Sequence, residues 1–181
     1  MSRPLPELTK DLDVLIDRPT LDKRLDELGA QLTRDYAGKP LVVLGVLKGS
    51  IMFMADLTRR IDLPLAMDFL GVSSYGDKTV SSGVVRITSD LSKPIEGKHV
   101  LIAEDIVDTG LTMSFLLENL ATRKPASVKV CTLLHKPARA KVEVPLDYVG
   151  FTIEDKFVVG YGLDYAEIYR NVPFVGVVRN P

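Results

Sequence analysis

Apolar positions along the chain change their spacing several times, and each change marks an element. Over residues 20–36, Leu21, Leu25, Leu28, Leu32 and Tyr36 recur at steps of three and four, which predicts an amphipathic helix. Asp17 is placed to cap it, Pro19 is tolerated in its first turn, and Gly38-Lys39-Pro40 ends it. The run Leu41-Val42-Val43-Leu44-Gly45-Val46-Leu47 is short and wholly apolar, which predicts a strand covered on both faces. A second helix is predicted over residues 50–60, strands over 65–72 and 84–89, and a polar Gly- and Ser-rich loop over 73–82. Residues 98–105 read as a buried strand ending on two acids, 111–122 as a helix and 128–134 as a further strand.

Alternating strands and helices predict an α/β fold, a mainly parallel sheet flanked by helices. Ligands bind beyond the carboxyl ends of such strands. The loops after Leu47, Ile106 and Leu134 are therefore expected to share one cleft. Past Leu134 the pattern breaks into short strand-like pieces around Gly160, Gly162 and Pro173. The expected organisation is a single domain over residues 1–181. Its core would span about 38–150, with a small cap built from the N- and C-terminal segments, about 1–16 and 151–181.

Composition narrows the class. With 181 residues, 46% hydrophobic and 26% charged, the chain can bury a full core without disulfides. Its single cysteine, Cys131, excludes an intrachain disulfide and sits in an apolar run, where it reads as a small core residue. A net charge of −1 argues against a nucleic-acid or membrane-surface partner. Residues 1–13 carry Glu7, Asp11 and Asp13 and do not resemble a signal peptide. No stretch approaches the roughly 18 apolar residues of a membrane span, so the expected compartment is the cytoplasm.

One segment concentrates chemistry: Val100-Leu101-Ile102-Ala103-Glu104-Asp105-Ile106-Val107-Asp108-Thr109-Gly110-Leu111-Thr112. A hydrophobic strand delivers adjacent carboxylates, a tight loop follows, and a helix begins. N–H groups at a helix start form an anion site, Gly110 lets the main chain approach a ligand, and the threonines add donors. Such a loop can hold a phosphate monoester, and the acid pair suits a diol, a Mg²⁺ ion, or both. Separately, Glu104 and Asp105 would read as a solvated strand end and Asp108 as a helix cap; their conjunction in one run favours the binding site. The chain has neither a G-x-x-x-x-G-K-[ST] loop nor a G-x-G-x-x-G turn.

The run Glu104-Asp105-Ile106-Val107-Asp108-Thr109-Gly110-Leu111-Thr112 resembles the phosphoribosyl pyrophosphate motif of the type I phosphoribosyltransferases. Three further segments resemble the 6-oxopurine branch, that of the hypoxanthine-guanine phosphoribosyltransferases. Val43-Leu44-Gly45-Val46-Leu47-Lys48-Gly49-Ser50 is similar to its pyrophosphate loop, and Val72-Ser73-Ser74-Tyr75-Gly76 to its lid. Residues 155–165, Asp-Lys-Phe-Val-Val-Gly-Tyr-Gly-Leu-Asp-Tyr, together with Arg170, are similar to its purine-binding region. The resemblance covers residues 15–178.

The resemblance implies a type I phosphoribosyltransferase fold and a purine-salvage transferase. It would move phosphoribose from 5-phosphoribosyl 1-pyrophosphate to N9 of hypoxanthine or guanine, giving IMP or GMP and pyrophosphate. Asp108, Thr109, Gly110, Leu111 and Thr112 would hold the 5′-phosphate, and Glu104 and Asp105 the ribose and a Mg²⁺ cofactor. Asp164 would serve a second Mg²⁺ beside the purine, and Lys48, Gly49 and Arg170 the pyrophosphate. Asp108 would be the general base. Lys136 would donate to the purine 6-oxygen, Phe157 and Ile106 would flank the ring, and the Val158 backbone would read its far edge. Ser74 and Tyr75 would belong to a closing lid, with Asp77 and Lys78 as solvent-facing charges. The peptide joining Leu47 and Lys48 can be cis in this branch.

Leu111 stands where some relatives carry Lys, and Ser50 where Gly is frequent. Arg139 and Lys141 could reach pyrophosphate or a neighbouring subunit. His99 and His135 lack partners at zinc spacing. The expected assembly is a homodimer or homotetramer. The competing expectations are a regulator that keeps the sugar-phosphate site but binds RNA or DNA, and an enzyme that also uses xanthine.

Overall fold

A computed structural model describes residues 5–75 and 84–179. It opens with a single helical turn, α1 (Leu5–Leu8), and a 3-10 turn over Thr9–Asp11. Then come β1 (Leu12–Ile16), α2 (Arg18–Asp35), β2 (Leu41–Leu47), α3 (Ile51–Thr58), β3 (Leu65–Tyr75), β4 (Val84–Ser89) and β5 (His99–Val107). The chain continues through α4 (Leu111–Ala121), β6 (Ser127–His135), a 3-10 turn at Pro137–Arg139, β7 (Tyr148–Thr152), β8 (Val158–Val159) and β9 (Val175–Val178). The start of α2 follows from its sequence: the Asp17 carboxylate accepts the Thr20 N–H at 2.9 Å, and Pro19 lies in the first turn.

The main sheet has the order β4-β3-β2-β5-β6-β7. Its pairs are parallel except β3 with β4, so the expected α/β architecture is what the chain adopts. β2 lies centrally, and Leu41, Val42, Val43, Leu44 and Val46 are all buried, as a strand covered on both faces requires. Helices α2 and α3 pack Leu21, Leu25, Leu28, Leu32, Phe53 and Leu57 on one face, and α4 packs Met113, Leu116 and Leu120 on the other. A second, three-stranded sheet, β1-β9-β8, joins both ends of the chain.

Three expectations need correction. The strand bearing the acids does not end on them: β5 runs to Val107 because Ile106 and Val107 still pair with Leu134 and His135 of β6. Ser73, Ser74 and Tyr75, expected in a loop, have strand backbone, since β3 pairs antiparallel with Arg86, Val85 and Val84. The expected lid position at Ser74 and Tyr75 is thus an extended β-ribbon. Gly76, Asp77, Lys78 and the rest of that loop to Ser82 lie outside the described residues. Phe151 and Thr152, expected among the short strand-like pieces of the cap, instead end β7 in the main sheet.

Candidate active site

The loops after β2, β5 and β6 meet at the carboxyl edge of the main sheet. A Cβ on Gly49 would overlap the Asp105 carboxylate, so the first loop touches the end of β5 from which the second departs. The third is bound to the second by main-chain hydrogen bonds: Lys136 N–H to Val107 O at 3.0 Å, and Lys141 N–H to Thr109 O at 2.9 Å. A turn at residues 160–163 closes the group, with Gly162 against the carbonyl of Gly49.

A small cavity in this edge is lined by Glu104, Ile106, Val107, Asp108, Thr109, Gly110, Thr112 and Met113. Gly110 is the residue before α4. Its φ of 80° and its approach to the Val142 carbonyl leave no room for a side chain. Gly110 has no side chain to cap α4, and the Thr109 hydroxyl accepts the Leu111 N–H only at 3.5 Å, so the first-turn N–H groups keep most of their capacity for an anion. Asp108 is therefore not the helix cap. Its Oδ1 instead lies 3.2 Å from Nε of Arg139.

Two buried side-chain polar atoms here, Glu104 Oε2 and Arg170 Nε, have no hydrogen-bond partner, and Asp108 Oδ1 has only its ion pair with Arg139. Orphaned buried polar atoms are rare unless a ligand or ion satisfies them. Burial, with the adjacent Asp105 charge, pushes the Glu104 carboxyl well above the usual carboxylate range. Burial also raises Asp105, against the pull of the main-chain N–H groups of Asp105 and Ile106.

Around Gly49 and Gly162, charge occurs in pairs. Lys48 follows a cis Leu47–Lys48 peptide and reaches Glu167 at 2.9 Å. Arg170 holds Asp164 at 2.7 Å and the Gly162 carbonyl at 2.8 Å. On the third side Lys136 is buried, with Nζ 3.8 Å from Asp155. Phe157 is exposed and meets Tyr165 edge-on at 5.4 Å, whereas Val158 is buried and pairs with Val177.

The structure thus brings Glu104, Asp105, Ile106, Asp108, Thr109, Gly110 and Thr112 together, with Leu111 opening α4 and Gly49 in direct contact. Lys48, Asp164 and Arg170 form a second group, joined to the first through Gly49 and Gly162. Lys136 adjoins both Val107 and Asp155; Phe157 and Val158 sit at the edge of the small sheet. Ser74 and Tyr75 lie on β3. Sequence reasoning missed Glu167 and Asp155 as site residues, and it offered Arg139 pyrophosphate or a neighbouring subunit rather than Asp108. Asp155 opens the segment already singled out, which was the available signal. Nothing local marks Glu167.

An acid pair near the carboxyl end of a sheet strand, followed by a tight loop and a helix start, is an arrangement of an α/β fold suited to a phosphorylated ligand. A model of the phosphoribosyl transferase domain matches residues 13–166, and the chain belongs to the phosphoribosyltransferase family. The chain is 52% identical over 166 residues to the hypoxanthine-guanine phosphoribosyltransferase of Bacillus subtilis, covering 92% of each. It is 52% identical over 170 residues to the hypoxanthine phosphoribosyltransferase of Haemophilus influenzae, covering 92% of this chain and 95% of that one. The bifunctional protein TilS/HprT of Listeria monocytogenes is also 52% identical over 166 residues, but the match spans only 26% of its length. A crystal structure of a Staphylococcus aureus hypoxanthine phosphoribosyltransferase superposes with a TM-score of 0.93 at 50% identity, covering 97% of this chain and 96% of that one.

Proposed function

We propose that this chain transfers phosphoribose from 5-phosphoribosyl 1-pyrophosphate to N9 of hypoxanthine or guanine, as a purine-salvage enzyme. The observation that carries this reading is the run from β5 into α4: an acid pair whose Glu104 lines the same cavity as the loop Asp108-Thr109-Gly110 and the start of the helix. The 5′-phosphate sits against Asp108, Thr109, Gly110, Leu111 and Thr112, where main-chain N–H groups and hydroxyls donate to it. Glu104 and Asp105 accept from the ribose hydroxyls.

The acid pair also fits a divalent cation. Glu104 Oε2 is buried without a partner, and the pair carries charge that burial disfavours. No group of three or more potential metal-ligating side chains occurs among the described residues. Mg²⁺ commonly takes one or two carboxylates and completes its shell with water and substrate oxygens, which suits the pair Glu104 and Asp105. Glu104 and Asp105 would hold one ion, and Asp164 would serve a second. Bound there, Mg²⁺ supplies Lewis-acid neutralisation of charge on the pyrophosphate.

N9 of the purine attacks the ribose carbon as its bond to the pyrophosphate oxygen breaks. Lys48, the Gly49 main chain and Arg170 bind the departing pyrophosphate. Asp108 accepts the proton from N7, a role worth about 10² to 10⁴ in rate. For this it exchanges its contact with Arg139 for one with the base. Lys136 donates to the 6-oxygen. An ammonium has donors and no acceptor, so a 6-amino purine would leave it unpaired. Phe157 stacks on the ring opposite Ile106, and the Val158 main chain reads the far edge. Closure of the β-ribbon that bears Ser74 and Tyr75 would exclude water.

The whole chain acts as one catalytic unit, with the β1-β9-β8 sheet as its cap. No helix among the described residues is long and apolar enough to cross a membrane. Phosphorylated substrates do not cross bilayers unaided, so the reading places the reaction in the cytoplasm. The reading includes a homodimer or homotetramer; a gel-filtration mass of one chain would count against it.

The test is a steady-state assay with 5-phosphoribosyl 1-pyrophosphate and Mg²⁺, offering hypoxanthine, guanine, xanthine and adenine in parallel. Turnover of the first two, abolished by EDTA, is expected. Binding of the sugar pyrophosphate without turnover of any base would instead point to a regulatory protein.

A further inference from the structure

Between Asp164 and Arg170 the chain makes a turn that the reaction above does not use. Tyr165 and Ile168 exchange main-chain hydrogen bonds at 3.1 Å in each direction. The two residues between them, Ala166 and Glu167, have φ of 51° and 67°. Two successive left-handed residues make the tight hairpin turn normally given to Asn and Gly. Here Ala and Glu adopt it, and the Glu167 N–H donates to Asp164 Oδ2 at 2.9 Å. The tip of the turn is therefore held, and so is the direction of the Glu167 side chain.

That side chain reaches across the mouth of the site. One carboxylate oxygen lies 2.9 Å from Nζ of Lys48, and the other lies 3.7 Å from the Arg170 guanidinium. These are the two cations assigned to pyrophosphate. Arg170 is also bound to Asp164 at 2.7 Å. Both cations thus already face carboxylates, Glu167 and Asp164, with Asp105 also within the influence of Arg170, before any substrate anion arrives. The two contacts differ in accessibility. Arg170 and Asp164 are 23% and 28% exposed, so that pair is sheltered. Lys48 and Glu167 are 67% and 69% exposed, so water can replace either partner.

We propose that Glu167 is an affinity-setting residue whose carboxylate competes with pyrophosphate for Lys48 and Arg170. The proposal rests on the functional reading above and deepens it. A pyrophosphate group bound beside an undisplaced carboxylate would meet like charge at close range. Displacing the carboxylate costs little because the contact is solvated. Glu167 thereby weakens the hold on 5-phosphoribosyl 1-pyrophosphate and on pyrophosphate alike, which favours release of the product.

The experiment compares the wild-type chain with Glu167→Gln, which keeps the size and polarity of the side chain and removes its charge. Inorganic pyrophosphate with Mg²⁺ is titrated calorimetrically into each, and the inhibition constant of pyrophosphate against 5-phosphoribosyl 1-pyrophosphate is measured in the assay. Glu167→Gln should bind pyrophosphate about two- to five-fold more tightly, the scale of an exposed ion pair. The KM for 5-phosphoribosyl 1-pyrophosphate should fall in parallel, while that for hypoxanthine stays put. The difference should shrink as salt is raised, because the competing contact is screened. Glu167→Asp, which withdraws the carboxylate by one methylene, should fall between the two. Unchanged pyrophosphate binding overturns the proposal. Weaker binding also overturns it and makes Glu167 a support for Lys48 instead. A wild-type chain that binds no pyrophosphate at all overturns both this proposal and the functional reading, whereas the preceding outcomes leave that reading intact.

Discussion

At the scale of single residues, the site depends on one absence of a side chain and one misplaced charge. Gly49 lies against the Asp105 carboxylate, and Gly162 presses on the Gly49 carbonyl from the other side. A methyl group at 49 must displace Asp105 or the 160–163 turn. Gly49→Ala should therefore lower kcat/KM by about 10²-fold, the usual cost of a misplacement near 1 Å. Its circular dichroism should match that of the wild type; activity within three-fold would show that the contact is slack. Glu104 supplies the pH prediction. Its pKa in the fold is raised from the ordinary 4.5, so the folded state binds its proton more tightly than the unfolded chain does. The group costs nothing below its unfolded pKa, and its penalty grows as pH rises from there towards the folded pKa. Glu104→Gln removes that penalty. In the absence of Mg²⁺ the variant should melt higher than the wild type at pH 8, and the two should converge near pH 4, while activity is lost. Parallel melting curves across that range would contradict the assignment.

At the scale of elements, the turn at residues 160–163 is pinned from behind. Tyr161 has a φ of 51°, uncommon for a residue with a ring, and its hydroxyl donates to Asp56 Oδ2 at 2.7 Å. Asp56 lies on α3 and also pairs with Arg18 of α2 at 2.9 Å, while the Arg18 guanidinium stacks 5.6 Å over the Tyr161 ring. Two helices thus hold the turn that supports Gly49. Tyr161→Phe keeps the ring and loses the hydroxyl. It should lower stability by about 1 kcal/mol and raise the KM for 5-phosphoribosyl 1-pyrophosphate more than that for the purine. Equal changes in both KM values would detach the turn from the pyrophosphate loop. Elements set by local pattern were legible from the sequence: α2 with its Asp17 cap, the apolar β2, and β5 running through Gly110 into α4. Elements set by a partner strand were not. Ser73, Ser74 and Tyr75 look like loop residues until β4 pairs with them, and β7 is a short edge strand whose pairing with β6 is invisible in its own five residues. The contacts of Arg139 with Asp108 and of Glu167 with Lys48 cross 31 and 119 positions, and only the folded chain brings those partners together.

At the scale of the whole molecule, the question is whether the two sheets behave as one body. Ile16 of β1, Val158 of β8 and Val175 of β9 belong to the same buried cluster as Leu21, Leu25 and Leu28 of α2 and Phe53 of α3. Tyr161 and Leu163, which flank Gly162, are in that cluster too. The small sheet therefore shares a core with the main one and has no separate core of comparable size: its own cluster holds only Leu12, Val159, Val172 and Val178 as buried members. A single cooperative transition is expected on heating, as for most domains near this size. GMP gives the sharper test, because the functional reading sets its phosphate against α4 and its base against Phe157 and Val158. A ligand spanning both parts can stabilise them only together. At 100 times its dissociation constant it should add about 2.7 kcal/mol. For a chain of 181 residues that corresponds to a rise in Tm of roughly 5–11 °C. Differential scanning calorimetry with and without GMP reads this directly. One transition that moves as a unit supports a single domain whose cap is part of the site. Two transitions, of which only the higher moves, would mean that the β1-β9-β8 sheet unfolds alone and that the purine contacts assigned to Phe157 and Val158 contribute nothing to binding.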